Sequence, residues 1–135
     1  MPDDIAQKVD QLLTELRALR PRVRRVAVQL GDLVLLVPTD DIVYATMSDD
    51  GNRLVIVDRK QAHYFNFSSV GALTELLADD KRFMRVHKSF LVNLDYVTQI
   101  KTVPGGRELT FGVLEDVQIK VAQSSVKALE AYFGI

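Results

Sequence analysis

The hydrophobic pattern near the amino terminus has a helical period. Apolar residues recur there at alternating spacings of four and three: Ile5, Val9, Leu12, Leu16 and Leu19. This spacing predicts an amphipathic helix, which ends at Pro21. Two heptads are too short for a stable isolated coiled coil. The apolar seam is therefore expected either to dock on its own chain or to pair with the same helix of a second copy. We favour pairing, and so expect a homodimer.

From Val26 onward the period changes to two. Val26, Val28 and Leu30 alternate with Ala27 and Gln29, which is typical of a strand with one buried face. Further strands are predicted at residues 33–37, 42–47, 53–58, 62–67, 96–103, 107–111 and 117–121. The run from Leu33 to Val37 is apolar throughout, which predicts a strand that is covered on both faces.

Two short helices complete the predicted elements. Ser68 or Ser69 is expected to cap the first, and Ser124 or Ser125 the last. Because turn signals separate most strands by only a few residues, the strands are expected to pair antiparallel. We predict a mainly β fold of antiparallel sheets with short helices, divided into an amino-terminal helix and linker (residues 1–25) and a main domain (residues 26–135).

Composition narrows the function classes. The chain has 135 residues, a net charge of −1 and no cysteine, so disulfides, thiolate catalysis and cysteine-ligated metals are excluded, and a cytoplasmic protein is expected. The longest apolar run is far below the ~20 residues of a membrane helix. The near-zero net charge means that any nucleic-acid binding must come from a local patch.

Two local features are candidates for such a patch. The first is an arginine cluster that either forms a solvated helix end or contacts a DNA backbone: Arg17, Arg20, Arg22, Arg24 and Arg25. The second is the basic stretch from Phe83 to Leu94, in which His87-Lys88-Ser89 lies between apolar residues. This stretch is either an ordinary solvated turn or a rigid loop that presents donors to a phosphate or a base edge.

An enzyme is not expected. The chain has two histidines, His63 and His87, and the alternation of His63 with Phe65 and Phe67 predicts a packed strand residue. Two distant histidines make a poor metal site, and no phosphate-binding glycine loop is present. The paired aspartates lie at turns, where aspartate bonds its own backbone. No metal or cofactor is predicted.

The basic stretch contains the motif Phe83-x-Arg85-Val86-His87-Lys88-Ser89-Phe90-Leu91-Val92-Asn93. This motif resembles the most characteristic one of the LytTR family of bacterial DNA-binding domains. Supporting matches are Asp41-Ile42-Val43-Tyr44, the strand at Ile100 and the closing Val126-Lys127-Ala128-Leu129. The resemblance runs from about Val26 to Phe133. It implies an elongated antiparallel β domain that binds repeated half-sites in promoter DNA as paired copies, through loops between strands.

The resemblance also implies roles for individual residues. Four positions are expected to contact bases in the major groove: Asn52, Lys88, Gln123 and Ser124. Four more are expected to contact phosphates: Arg53, Arg85, Ser89 and Lys127. Lysine can donate to guanine, and asparagine or glutamine can form a bidentate pair with adenine. The expected function is a sequence-specific transcriptional regulator that binds double-stranded DNA.

The chain departs from the family pattern before the last helix. Ala122-Gln123-Ser124 stands where the family usually has serine followed by arginine, and Asn52 lies beside Asp49-Asp50. These changes reduce the basic character of the expected groove contacts. An alternative is therefore a non-catalytic protein-interaction module with weakened or lost DNA binding. Members usually carry a sensory or receiver domain, as response regulators do, so the chain is either a small stand-alone regulator or a fragment of a longer one.

Overall fold

The chain folds mainly into β-strands. The structure, a computed structural model, describes residues 5–12, 23–66 and 68–135. The elements follow in this order: α1 (5–12), β1 (Arg25–Leu30), β2 (Leu33–Pro38), a 3₁₀ turn (Thr39–Asp41), β3 (Ile42–Met47), β4 (Leu54–Asp58), β5 (His63–Asn66), α2 (Val70–Leu76), β6 (Phe83–His87), β7 (Phe90–Asn93), a second 3₁₀ turn (Leu94–Tyr96), β8 (Val97–Val103), β9 (Gly106–Phe111), β10 (Gln118–Val121) and α3 (Gln123–Phe133). The predicted class, mainly antiparallel β with short helices and an amino-terminal helix, is confirmed.

The described strands form three sheets. The central sheet has the order β5-β4-β3-β7-β6, a hairpin is formed by β1 and β2, and the carboxyl-terminal sheet has the order β10-β9-β8. Every pairing within these sheets is antiparallel. The short connections of the sequence allow this, because an antiparallel pair needs only a tight turn.

The central sheet is covered on both faces. All five residues of β4 are buried, since Leu54 and Ile56 face one core while Val55 and Val57 face the other. The β1–β2 hairpin and α2 close the first core, and the carboxyl-terminal sheet and α3 close the second. The result is three layers, with the central sheet in the middle.

A buried asparagine fixes the end of β7. The Nδ2 of Asn93 donates to the carbonyl oxygen of Ile42 (2.9 Å), and its Oδ1 accepts from the backbone N–H of Asp95 (3.1 Å). Both polar ends of the side chain are therefore satisfied inside the core, as burial of an amide requires. Because Asn93 also pairs with Phe83 at the start of β6, the contact aligns β6 and β7 with β3.

Three sequence predictions are wrong. Strand β2 is not covered on both faces, because the hairpin is an outer layer: Val37 is buried, but Leu33, Val34 and Leu36 are exposed. His63 is exposed instead of packed, since it lies in edge strand β5. Helix α3 begins at Gln123 after Ala122, which makes no side-chain cap. By contrast, Ser69 caps α2 as expected, by accepting from the N–H of Ala72.

Part of the predicted seam and linker lies outside the described residues. These positions are Leu16 and Leu19 of the seam and Arg17, Arg20 and Arg22 of the arginine cluster. Within the described part of the chain, no helix is long and apolar enough to cross a membrane.

Candidate nucleic-acid interface

The two turns that carry predicted contacts lie at the same end of the central sheet. Strand β3 runs into the turn at residues 48–53 and returns as β4, with Met47 opposite Leu54. Strand β7 lies on the other side of β3, and its first residue, Phe90, pairs with Thr46 near the end of β3. The Lys88-Ser89 turn that precedes Phe90 therefore lies beside the turn at residues 48–53.

The start of α3 is tied to the same end. The backbone N–H of Ala122 donates to the carbonyl oxygen of Val86 (2.8 Å), and the hydroxyl of Ser125 donates to the carbonyl oxygen of Arg85 (3.3 Å). Gln123 and Ser124 thus follow directly from a strand end beside the Lys88 turn. We call the turn at 48–53, the turn at 88–89 and residues 122–125 together the candidate surface.

The first turn is held by its own polar groups. The carboxylate of Asp50 accepts from the hydroxyl of Ser48 and from the backbone N–H of Asn52, and the N–H of Arg53 donates to the Ser48 hydroxyl (3.1 Å). The hydrogen bonds from Ser48 and Asn52 lower the pKa of Asp50 below its ordinary value, because they favour the charged form. Asn52 is exposed at the tip of this turn.

The second turn is held on both sides of Lys88. The Nδ1 of His87 accepts from the backbone N–H of Ser89 (3.1 Å), and Nη2 of Arg85 donates to the carbonyl oxygen of Lys88 (2.7 Å). The His87 ring also packs edge-on against Phe90, with ring centroids 5.9 Å apart. The backbone of Lys88 is therefore fixed, and the residue is exposed.

The third segment presents polar side chains from the first turn of α3. Ser124 and Lys127 are exposed and three residues apart, so they share one face of the helix. The Nε2 of Gln123 lies 3.4 Å from the carbonyl oxygen of Gly105, which brings the β8–β9 turn to the same region. Because Ala122 supplies no side-chain cap, the start of α3 has the character of a helix terminus that attracts anions.

The charge of the candidate surface is mixed but mainly basic. Arg53, Arg85 and Lys88 are exposed cations at this end, and Lys127 extends them along α3. Asp49 and Asp50 are the acids, and both belong to the first turn. The surface is thus a local patch in a chain of net charge −1, as nucleic-acid binding by this chain requires.

Sequence reasoning missed the contacts that organise the patch. The tether from Ser125 to Arg85 and the hydrogen bond from Arg85 to Lys88 link residues through backbone carbonyl groups. No sequence motif marks such contacts, because every residue has a backbone carbonyl group. For Arg85 the sequence offers its basic surroundings and the match to the LytTR motif, which imply a phosphate contact but not the hydrogen bond to Lys88.

Other kinds of site are poorly supported. In the described segments, no group of three histidine, aspartate or glutamate side chains could hold a metal ion. A cavity of about 80 Å³ lies at the other end of the central sheet, between Tyr44, His63 and Leu114. It is well below the volume of an ordinary small-molecule site, roughly 300–1,000 Å³.

Comparison with known proteins decides the family. Residues 32–134 match the family described as LytTr DNA-binding domain. The chain belongs to the LytTR family. The match covers the central sheet and all three segments of the candidate surface, so the LytTR motif corresponds to β6, the Lys88 turn and β7.

A solved LytTR structure supports the fold. The LytTr DNA-binding domain of a putative methyl-accepting/DNA response regulator from Bacillus cereus superposes with a TM-score of 0.67 and 20% sequence identity. The alignment covers 83% of this chain and 98% of that one. The three-layer arrangement is thus shared with a LytTR domain of distant sequence.

Two curated relatives are longer proteins. The chain is 31% identical over 77 residues to the sensory transduction protein LytT of Bacillus subtilis (strain 168). This alignment covers 57% of the chain and 30% of the relative. It is 28% identical over 114 residues to the haem-containing CO-sensing transcriptional regulator RcoM 1 of Paraburkholderia xenovorans (strain LB400). This second alignment covers 84% of the chain and 41% of the relative. The chain therefore spans less than half the length of these relatives.

Proposed function

We propose that the chain is a sequence-specific DNA-binding transcriptional regulator of the bacterial cytoplasm that binds promoter DNA as a homodimer. The observation that carries the proposal is the convergence of the three segments with predicted DNA contacts at one end of the central sheet. Membership of a family of DNA-binding domains and similarity to regulators support the same function class.

Lys88 is the base-reading residue on which the proposal depends most. Its backbone is held by Arg85 on one side and lies next to the His87–Ser89 contact on the other. A fixed backbone lowers the ordering cost when the side chain enters a groove. A lysine in the major groove can donate to O6 and N7 of guanine.

The remaining assignments follow from position on the candidate surface or directly beside it. Asn52 on the first turn, and Gln123 with Ser124 at the start of α3, are proposed to contact bases. For the phosphates, the proposed residues are Arg53, Arg85, Ser89 and Lys127. Phosphate contacts fix the register of a protein on the duplex, while base contacts supply specificity.

The decisive experiment replaces Lys88 with alanine. We expect Lys88→Ala to weaken binding to the specific site by about 1–3 kcal/mol, or roughly 5- to 150-fold, with little change in binding to random DNA. Fluorescence anisotropy with a promoter fragment and with a scrambled fragment, at two salt concentrations, measures both effects.

Lys60→Ala is the matched control. Lys60 is also an exposed lysine, but it lies in the β4–β5 turn at the opposite end of the central sheet. Its replacement changes the net charge equally and is expected to leave specific binding intact. Equal affinities of folded Lys88→Ala and wild-type protein for the promoter would remove the role given to Lys88.

The two acids of the first turn favour a second candidate function. Asp49 and Asp50 precede Asn52 and repel phosphate, so the first turn also suits a protein partner with basic residues. The same titration separates the two functions. Weak and equal binding to both DNA fragments supports the protein-interaction module, whereas a tight specific complex that weakens steeply with salt supports the regulator.

A further inference from the structure

The β1–β2 hairpin has one face against the first core and one face open. The buried face carries Val26, Val28 and Val37 of the hairpin. Its base is fastened by Thr39, whose N–H donates to the carbonyl oxygen of Arg24 (2.8 Å) and whose hydroxyl lies 3.0 Å from the carbonyl oxygen of Val23. The hairpin is thus fixed in place, and its other face is a surface of defined shape.

That open face is largely apolar. Ala27 pairs with Leu36, and Gln29 with Val34, so these four side chains point away from the core, and Gln29 is the polar one among them. Leu36 and Val34 are 54% and 53% exposed. We call these four residues the outer hairpin face. Contiguous exposed apolar patches of this kind mark binding surfaces.

Helix α1 carries a second open apolar surface. Ile5, Val9 and Leu12 form the described part of its seam and are 64%, 48% and 58% exposed. In the structure of one chain, the helix therefore does not cover the outer hairpin face, and the hairpin does not cover the helix. Both apolar surfaces are therefore uncovered in a single chain.

We propose that the outer hairpin face of each copy binds α1 of a second copy, in a reciprocal dimer. The proposal deepens the homodimer of the proposed function by naming the surface on which the helix seam docks. It also explains the sequence of β2, since five consecutive apolar residues are typical of a strand covered on both faces.

Size and symmetry favour this arrangement. A six-residue strand is about 20 Å long, and a helix is about 10 Å wide, so one helix suits the face of a two-stranded hairpin. A stable interface buries about 800 Å² per partner. A two-fold axis makes the helix-on-hairpin contact twice, and each copy then contributes both of its apolar surfaces.

Charge is complementary across the proposed contact. Arg24 and Arg25 stand at the base of the hairpin, while the first ten residues of the chain carry three acids, Asp3, Asp4 and Asp10, against one lysine. The proposed contact brings these opposite charges together, and such pairing fixes the orientation of a complex more than its strength.

The first test compares two exposed leucines by analytical ultracentrifugation of the full chain over a range of concentrations. Leu36 lies on the outer hairpin face, whereas Leu76 lies on α2 and is 51% exposed. We expect wild type to dimerise, Leu36→Lys to raise the dimer dissociation constant at least tenfold, and Leu76→Lys to leave it unchanged. Thermal unfolding confirms that both variants fold. A monomeric wild type, or a dimer that is insensitive to Leu36→Lys, overturns the proposal.

The second test identifies the partner surface. Because the chain has no cysteine, Val9→Cys and Leu36→Cys each introduce a single thiol, and a short bismaleimide links thiols that lie close together. A mixture of the two variants, tagged differently, is expected to give mainly the mixed cross-linked dimer. Predominance of Val9–Val9 or Leu36–Leu36 products contradicts the arrangement. A second result would also contradict it: the double variant Val9→Cys/Leu36→Cys cross-links within one chain, while the mixture of single variants gives no cross-linked dimer.

DNA binding separates this proposal from the function on which it rests. Leu36→Lys is expected to bind a single half-site as wild type does, because the outer hairpin face is outside the candidate surface. A dimer that is insensitive to Leu36→Lys, with intact half-site binding, removes only the helix-on-hairpin contact, whereas a monomeric wild type also removes the homodimer. If Lys88→Ala leaves specific DNA binding unchanged and the dimer is intact, only the DNA contact proposed for Lys88 is removed.

Discussion

Arg85 shows how a motif residue acts through its neighbour. Its Nη2 donates to the carbonyl oxygen of Lys88 (2.7 Å), and a Cβ added to Gly71 would lie 3.5 Å from its Nη1. The guanidinium therefore sits between the start of α2 and the Lys88 turn. This position accounts for an arginine here, because a planar group with several donors can bond the turn and still offer N–H groups to a phosphate.

Arg85→Lys separates these two uses of the side chain. A lysine keeps the charge but lacks the planar fork, so we expect non-specific DNA binding to stay near the wild-type value while specific binding falls several-fold. The ratio of the two dissociation constants at one salt concentration is the measurement. A fall in both affinities by the same factor would mean that Arg85 serves only as a phosphate contact.

Arg82, which lies close to Arg85 in sequence, has a structural role. Its guanidinium bonds the buried carboxylate of Asp80 (2.7 Å) and reaches Asp40 in the 3₁₀ turn after β2 (2.6 Å). The hydrogen bonds that Arg82 donates to Asp80 raise the pKa of the guanidinium above its already high value, so Arg82 stays charged. It connects the entry to β6 with the entry to β3.

Arg82→Met is expected to lower the free energy of unfolding by about 3 kcal/mol, because it removes the guanidinium that bonds the buried carboxylate of Asp80. Arg59→Met is the control. Arg59 pairs with Asp41 (3.1 Å) at a more exposed site, where an ion pair contributes about 1 kcal/mol or less. Urea unfolding of both variants measures the difference, and equal losses would contradict the distinction.

Among the elements, the turn at residues 48–53 combines a backbone requirement with a proposed contact. Gly51 has φ +74° and has nothing within 4 Å of where a Cβ would stand. A side chain there has room, but the left-handed backbone disfavours it. Any effect of Gly51→Ala must therefore act through the conformation of the turn that presents Asn52.

Gly134 offers a matched comparison. It follows α3 with φ +71° and has equally open surroundings. We expect Gly51→Ala and Gly134→Ala each to cost about 1 kcal/mol of stability, while only Gly51→Ala weakens specific DNA binding. Thermal unfolding and anisotropy titrations test the two expectations. Equal DNA affinities for both variants would detach the first turn from base recognition.

Element boundaries were predictable where local chemistry decides them. Strand β3 has the predicted limits, Ile42–Met47, because a strong turn signal follows it, and Ser69 caps α2 because its hydroxyl meets a free N–H at the helix start. The start of α3 was missed because tertiary contacts begin it. The N–H of Ala122 bonds Val86 and the hydroxyl of Ser125 bonds Arg85, so neither nearby serine is needed as a cap.

Burial was harder to predict than strand position. The run at Leu33–Val37 reads as a doubly covered strand, yet one face of the hairpin is open in the single chain. His63 reads as packed but lies in an edge strand. Periodicity reports which side chains share a face, but the layer that covers a face comes from elsewhere in the chain or from another chain.

At the scale of the whole molecule, the three layers separate stability from recognition. The cores on the two faces of the central sheet hold its strands, and the candidate surface is built only from the turns and the helix start at one end. A net charge of −1 provides no long-range attraction to DNA, so affinity must come from close contacts. In the proposed dimer, two copies on one duplex would double those contacts, and the second site would be bound at high effective concentration.

Half-site spacing tests this dimeric arrangement. Two subunits related by a two-fold axis read the same face of the duplex only when the half-site centres are about one helical turn, 10–10.5 base pairs, or a multiple of it apart. We expect that inserting about five base pairs between the half-sites moves one of them to the far side and reduces affinity to that of a single half-site. An insertion of about ten should restore tight binding. Electrophoretic mobility shifts with wild type and Leu36→Lys measure both effects. If spacing affects wild type but not the variant, the phase dependence arises from the protein dimer, whereas equal affinity at all spacings would show that the two copies bind independently.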